Sequence, residues 1–346
     1  MAGYQFNPML EGLKLSPIVI TSELARQKAA WFHQTTGKDF VHFHRGEVDF
    51  PTPDYIKQAA WRALEQDRTK YPKSGGEDDL KDAIVLKLHD TNRARGLRRE
   101  NVLCTYGAQE ALQLSFKLFE GTRGAGFSPC WSCVLENLIP YESIDFTLVP
   151  LGADFSVGWA QLEKVLKKVR FFYLNNPHNP TGKVFSEDEV RAIAELCQKH
   201  DVWLISDETY EQIVYDGLEL LSAASLDQEN IITVVSFSKS YSMTGWRLGY
   251  LVTRQERIPS ILRLADYSQT GGVVPFIQYA GKEALANRAE SDRAISVMVN
   301  EFQRRRDVLY QGLSAIDGIS VEKPGGAFYV FPNFTESIPA ELVGPE

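Results

Sequence analysis

No uninterrupted apolar stretch in the 346 residues reaches the roughly 20 residues that a membrane-spanning helix requires. The opening Met1-Ala2-Gly3-Tyr4-Gln5 lacks the basic-then-apolar order of a secretory signal. Cysteine is scarce: Cys104, Cys130, Cys133 and Cys197 are too few to staple a chain of this length. A cytoplasmic location is therefore the expectation. Long single-sign charge runs are missing as well, and a net charge of −8 spread along the chain argues against nucleic acid or an anionic membrane as a partner. Internal repeats, low-complexity tracts and obvious linkers are also lacking. Cys130-Trp131-Ser132-Cys133 has redox or zinc spacing, and His42-Phe43-His44 would put two imidazoles on one face of a strand. Neither set has further ligands at comparable spacing, so no metal site is expected and the thiols are read as packed.

What the chain does have is alternation. Hydrophobic residues make up 44% and charged residues 24%, an ordinary balance for a globular enzyme, and the length suits a large domain plus a smaller one. Strand-like apolar runs cover Phe40 to His44, Val102 to Thr105, Ala125 to Ser128, Phe146 to Pro150, Val169 to Leu174, Val202 to Ser206, Ile231 to Phe237 and Arg247 to Val252. Helix-like segments fall at Asp54 to Glu65, Gly76 to Thr91, Ala108 to Glu120, Ser186 to His200 and Ser291 to Leu313. Ser186-Glu187-Asp188-Glu189 carries a hydroxyl cap followed by acids, a good helix start. Continuous apolar strands separated by helices predict an α/β protein with a mostly parallel sheet covered on both faces. Ligands in such sheets bind where the loops leave the strand C-terminal ends.

Those loops hold a coherent set of residues. Tyr106-Gly107-Ala108-Gln109 turns straight into a helix, so its backbone N–H groups and the helix dipole offer an anion site. Asn179-Pro180-Thr181-Gly182 fits a type I turn that would hold the Asn179 amide rigidly. Asp207 closes an apolar strand, where a carboxylate needs a cation or several donors, and Tyr210 follows it. In Ser236-Phe237-Ser238-Lys239 the lysine lies among hydroxyls with Arg247 eight residues on. A neighbouring cation and partial burial help an amine shed its proton, as Schiff-base chemistry demands. Pyridoxal phosphate would use the whole set. Its phosphate suits the helix N-terminus and Arg247, its aldehyde Lys239, its ring nitrogen Asp207, and its phenolate oxygen Asn179 and Tyr210.

From about Val41 to Pro332 the chain resembles the class I/II aminotransferases of the fold-type I pyridoxal-phosphate superfamily. The resemblance is carried by Asn-Pro-Thr-Gly at 179–182, Ser-Asp-Glu-x-Tyr at 206–210, Ser-x-Ser-Lys at 236–239 and Gly-Trp-Arg-Leu-Gly at 245–249. Gly46-Glu47-Val48-Asp49-Phe50, with Val48 in place of proline, Lys70-Tyr71 before Gly75-Gly76, and Pro324-Gly325-Gly326-Ala327-Phe328-Tyr329 are similar to further family segments, the last opening a small-domain sheet. It implies a large α/β/α domain at 41–255, an N-terminal segment at 1–40 belonging to a smaller α+β domain, and linking helices with an incomplete remainder of that domain at 256–346.

It further implies that Lys239 holds the cofactor as an aldimine and moves the substrate proton, while Asp207 keeps the ring nitrogen protonated and Trp131 stacks on the ring. Gly107, Ala108, Gln109, Ser236, Ser238 and Arg247 would bind phosphate, and Tyr71 would reach the phosphate in the other subunit of a homodimer. Gly46 and Asn179 would lie near the substrate carboxylate. The family's C-terminal arginine for that carboxylate is not encoded before Glu346. Transamination between an L-amino acid and a 2-oxo acid is the expected reaction. Elimination, replacement or cyclisation at Cβ or Cγ is the alternative, with His178 as an extra acid or base. A non-catalytic binding or regulatory relative is disfavoured, because Lys239, Asp207 and Arg247 are all retained. Tyr4, Phe6 and Arg45 are candidates for the pocket wall.

Overall fold

The structure, a computed structural model, describes residues 17–41, 43 and 46–337. Tyr4, Phe6, His42, His44 and Arg45 lie outside the described residues. Seven strands form one sheet: β1 Val102–Thr105, β2 Arg123–Ser128, β3 Asp145–Pro150, β4 Phe171–Asn175, β5 Trp203–Asp207, β6 Ile231–Ser236 and β7 Gly249–Val252. Their order across the sheet is β1-β7-β6-β5-β4-β2-β3. β7 runs antiparallel to both of its neighbours, and the pairs from β6 through β3 are parallel. β4 and β6 are buried along their whole length, as expected for parallel strands covered on both faces.

The helices are α1 Pro17–Thr36, α2 Asp54–Glu65, α3 Asp78–Asp90, α4 Ala108–Lys117, α5 Trp159–Leu166, α6 Glu187–Lys199, α7 Arg257–Thr270, α8 Pro275–Ala286 and α9 Arg288–Ser314. α6 starts as its sequence predicts. Ser186 Oγ accepts the Glu189 N–H while the Glu189 carboxylate accepts the Ser186 N–H. One face of the sheet packs on α5 and α6 through Leu162, Phe172, Ile193 and Leu204. Two further apolar clusters fill against α2, α3 and α8 and against α4 and α7.

Register explains where the site must be. Asn175 pairs with Asp207 across β4 and β5, while Thr105 and Ser236 both pair with Gly249 of antiparallel β7. The ends of β1, β4, β5 and β6 therefore open on one edge with the start of β7.

Three expectations are corrected. The described residues between Phe40 and Phe43 form no strand. β7 begins at Gly249 because Arg247 adopts a left-handed φ of 57°, which breaks extended pairing. Pro324–Tyr329 opens no sheet among the described residues. Its backbone docks onto loops of the main sheet instead: Gly325 and Gly326 N–H donate to the Gly182 carbonyl, Ala327 N–H to Ile213, and Tyr215 N–H to the Gly325 carbonyl.

Candidate active site

The helical turn Phe237–Ser240 leaves the end of β6 capped by Ser236, whose Oγ accepts the Ser238 N–H at 3.1 Å. It carries Lys239 into a cavity of about 710 Å³ at the sheet edge. Lys239 Nζ donates to the Gly46 carbonyl at 2.5 Å and lies 5.3 Å from the Phe328 ring centre and 5.8 Å from that of Tyr210. Gly46 has no room for a side chain, since a Cβ would stand 2.4 Å from the Tyr329 hydroxyl. The glycine thus lets the Tyr329 hydroxyl sit against the backbone that receives the amine.

Asp207 is buried at the end of β5, on the wall of the cavity. Its Oδ1 accepts both the N–H and the hydroxyl of Thr209, at 3.1 and 2.6 Å, and its Oδ2 accepts the Tyr173 hydroxyl at 2.9 Å. Burial pushes the Asp207 carboxyl above its ordinary value, and the hydrogen bonds from Thr209 and Tyr173 pull it back. Three donors fill three of the about four acceptor positions of a carboxylate, leaving it able to receive one more N–H.

At the β1–α4 turn, Gly107 has φ 81°, and a Cβ there would stand 2.9 Å from an Arg247 guanidinium nitrogen. Arg247 donates to the carbonyls of Thr244 at 3.0 Å and Tyr106 at 3.3 Å, so a cation, Ser236, Ser238 and the N-terminus of α4 share one corner of the cavity. Ala108, Gln109 and Trp131 also line it. Asn179 reaches the Tyr329 hydroxyl at 3.1 Å, and that hydroxyl meets the Tyr210 hydroxyl at 2.5 Å. Burial and the neighbouring Tyr329 raise the Tyr210 phenol well above its ordinary value. Asn179 is fixed differently from the type I turn read in the sequence. Its own N–H goes to Asn175 Oδ1 at 2.7 Å, and Gly182 N–H bonds the His178 carbonyl, one residue earlier than such a turn requires.

Some predicted residues stand elsewhere. His178 is buried beneath the turn, bonded to Thr181 Oγ1 at 2.8 Å and packed edge-on to Phe185. Burial lowers its imidazole to about 4, so it is uncharged near neutrality. Tyr71 is 96% exposed and does not line the cavity of this chain. Burial pushes the Cys130 and Cys133 thiols up to about 12 and about 11, which removes the thiolate a redox pair needs. No group of His, Cys, Asp and Glu suited to a metal ion occurs among the described residues.

Sequence reading missed Tyr173, Asn175, Thr209 and Tyr329. Tyr173 and Asn175 sit two residues apart on the buried strand β4, and only its pairing with β5 reveals that they face Asp207. Tyr329 arrives from 119 residues beyond Tyr210.

Residues 38–342 match the family described as aminotransferase class I and II. The chain belongs to that family. A probable aspartate/prephenate aminotransferase of Aquifex aeolicus is 39% identical over 331 residues, covering 93% of this chain and 82% of that protein. The aspartate aminotransferase of Thermus thermophilus, solved with maleate, superimposes with a TM-score of 0.88 at 29% identity, over 95% of this chain and 85% of its own. An aromatic aminotransferase of Pyrococcus horikoshii gives 0.79 at 33% identity, over 83% and 78%. The chain is thus an aminotransferase, with the fold-type I architecture and with amino and 2-oxo acids as its substrates. No helix among the described residues is long and apolar enough to cross a membrane.

Proposed function

We propose that this aminotransferase transfers the amino group of L-aspartate to a 2-oxo acid, using pyridoxal 5′-phosphate bound through Lys239. The observation that carries the reading is the convergence of an amine, a buried carboxylate with one acceptor position to spare, and a cationic anion cradle on one cavity. The residues fit the cofactor: a Cβ at Gly107 would fill the cradle, and an N–H cation beside Asp207 would relieve the burial that raises its carboxyl. When bound, the cofactor supplies an aldehyde and an electron-withdrawing ring that accepts the electron pair released at the substrate Cα.

Arg247, Ser236, Ser238, Gly107, Ala108 and Gln109 hold the phosphate in this reading. Asp207 holds the proton on the ring nitrogen, with Thr209 and Tyr173 fixing its oxygens. Asn179 and Tyr210, steadied by Tyr329, bond the ring oxygen, and Trp131 covers the ring. Lys239 would hold the aldehyde and move a proton from the substrate Cα, and the carbonyl of Gly46 orients its Nζ. Gly46 and Asn179 also border the substrate carboxylate. A homodimer in the cytoplasm, with Tyr71 reaching the phosphate of its partner, completes the proposal. The two relatives named above for aspartate direct the choice of donor to it.

The test is a timed incubation of purified protein and cofactor with L-aspartate and 2-oxoglutarate. Glutamate and oxaloacetate should appear in equal amounts, and Lys239→Ala should form neither. Consumption of aspartate without glutamate would replace transamination by elimination.

A further inference from the structure

Among the described residues four cations line the cavity: Lys239, Arg247, Arg305 and Arg306. The first two are accounted for by the amine and the phosphate corner. Arg306 is immobilised, with only 3% of its side chain exposed. It is paired with Asp216 at 2.9 Å, donates to the Pro324 carbonyl and lies 4.8 Å over the Tyr215 ring. Arg305 is different in kind. Helix α9 presents Phe302, Arg305, Arg306 and Leu309 to the cavity, the spacing of one helical face. Arg305 stands where that face meets solvent, with 43% of its side chain exposed. Phe302 and Phe50 support the guanidinium from 5.8 and 5.7 Å. Phe302 in turn lies 5.3 Å from Phe328, the ring beneath Lys239. Two aromatic rings thus separate the guanidinium from the reacting amine.

We propose that Arg305 binds a carboxylate of the substrate, and that Asp49 occupies it until the substrate arrives. Arg305 Nη1 donates to both oxygens of Asp49, at 3.0 and 2.8 Å, and its Nε donates to Glu301 at 2.8 Å. Asp49 also lines the cavity, and its side chain is 60% exposed. An ion pair this wet holds its partners weakly, so a carboxylate entering the cavity exchanges with Asp49 at little cost. The planar fork of an arginine is suited to that exchange, since it grips any carboxylate through two N–H groups. Asp49 has a second effect: its charge repels an anionic substrate until Arg305 is handed over.

This assignment rests on the transamination read above, and the experiment separates the two. Holoenzyme is titrated calorimetrically with succinate, a dicarboxylate that has no amine to react. Kinetics follow with L-aspartate and L-alanine as alternative donors. Arg305→Met should weaken succinate on the order of tenfold and raise the KM for aspartate more than it lowers kcat. Arg305→Lys should recover part of the loss. Asp49→Asn should tighten succinate several-fold, by freeing Arg305 and removing a repelling charge. A rise in KM confined to aspartate places the side-chain carboxylate on Arg305, and an equal rise for alanine places the α-carboxylate there. Unchanged succinate binding in Arg305→Met overturns the assignment even if turnover is normal. Absence of any amino transfer by the wild type refutes the transamination reading alone, because the succinate titration needs no reaction.

Discussion

Asp207 is held by three donors inside the protein, and each donor acts on its protonation in the same direction. Burial favours the neutral acid, while Thr209 and Tyr173 favour the ionised form that a protonated ring nitrogen requires. Asp207→Asn keeps the size and the hydrogen-bonding reach of the side chain but cannot stabilise a proton on its partner. Turnover should fall on the order of a hundredfold or more with cofactor still bound, as read from absorbance after gel filtration. Tyr173→Phe removes one donor of the three and should lie between that variant and the wild type. Undiminished turnover in Asp207→Asn would remove the pairing. Asp207 itself was legible in the sequence, because a carboxylate closing an apolar strand must be paired. Tyr173 was not, because a tyrosine within a buried strand looks the same whether its hydroxyl packs idly or orients an acid.

At the level of elements, the strands and most helices followed from their apolar periodicity, and α2 forms over the residues its pattern predicts. The run at Phe40 to Phe43 misled because a short apolar stretch becomes a strand only beside a partner, and Val41 and Phe43 are largely exposed. The loop after β5 shows what sequence patterns leave out. Glu208 lies inside the protein and ties the end of β5 to the turn at Ser222–Ser225, accepting from the hydroxyls of Ser206 at 3.0 Å and Ser222 at 2.5 Å and from Ala223 N–H at 2.7 Å. Burial nevertheless pushes its carboxyl from an ordinary 4.5 up to about 7. Its native value exceeds its unfolded value, so from about pH 4.5 to 7 the native state keeps a proton that the unfolded chain has lost. The stability it contributes is complete below that window and is lost as pH rises through it, by on the order of 3 kcal/mol. Glu208→Gln does not titrate, and its amide can meet Ser222 Oγ with that hydroxyl turned to accept. Its urea midpoint should therefore fall less than that of the wild type between pH 5 and pH 7.5. Parallel pH profiles would show that the three donors already hold Glu208 ionised.

For the whole molecule, the question is what covers its outer apolar surface. Helix α7 buries Ile258 and Leu262 but leaves Ile261, Leu264 and Tyr267 at 44%, 65% and 60% exposure along one side. Its last turn ends at Gly271–Gly272, where Gly272 lies against Pro72, next to the almost fully exposed Tyr71. The Gly272 carbonyl accepts the Tyr106 hydroxyl at 3.0 Å, and Tyr106 adjoins the Gly107 cradle. An exposed apolar stripe, a projecting tyrosine and the anion corner of the cavity are therefore linked by adjacent residues, which is what a homodimer sharing its active sites would require. Leu264→Glu places a charge in the middle of the stripe without touching the core beneath. Light scattering at micromolar concentration should give twice the chain mass for the wild type and a single chain mass for the variant. Cofactor should also bind the variant more weakly, because Tyr71 of the partner is withdrawn from its phosphate. Tyr71→Phe, which keeps the ring and deletes the hydroxyl, should stay dimeric and share only the loss in cofactor affinity. A wild type that scatters as one chain would refute the shared site, and a monomeric Leu264→Glu with full cofactor affinity would limit α7 to assembly.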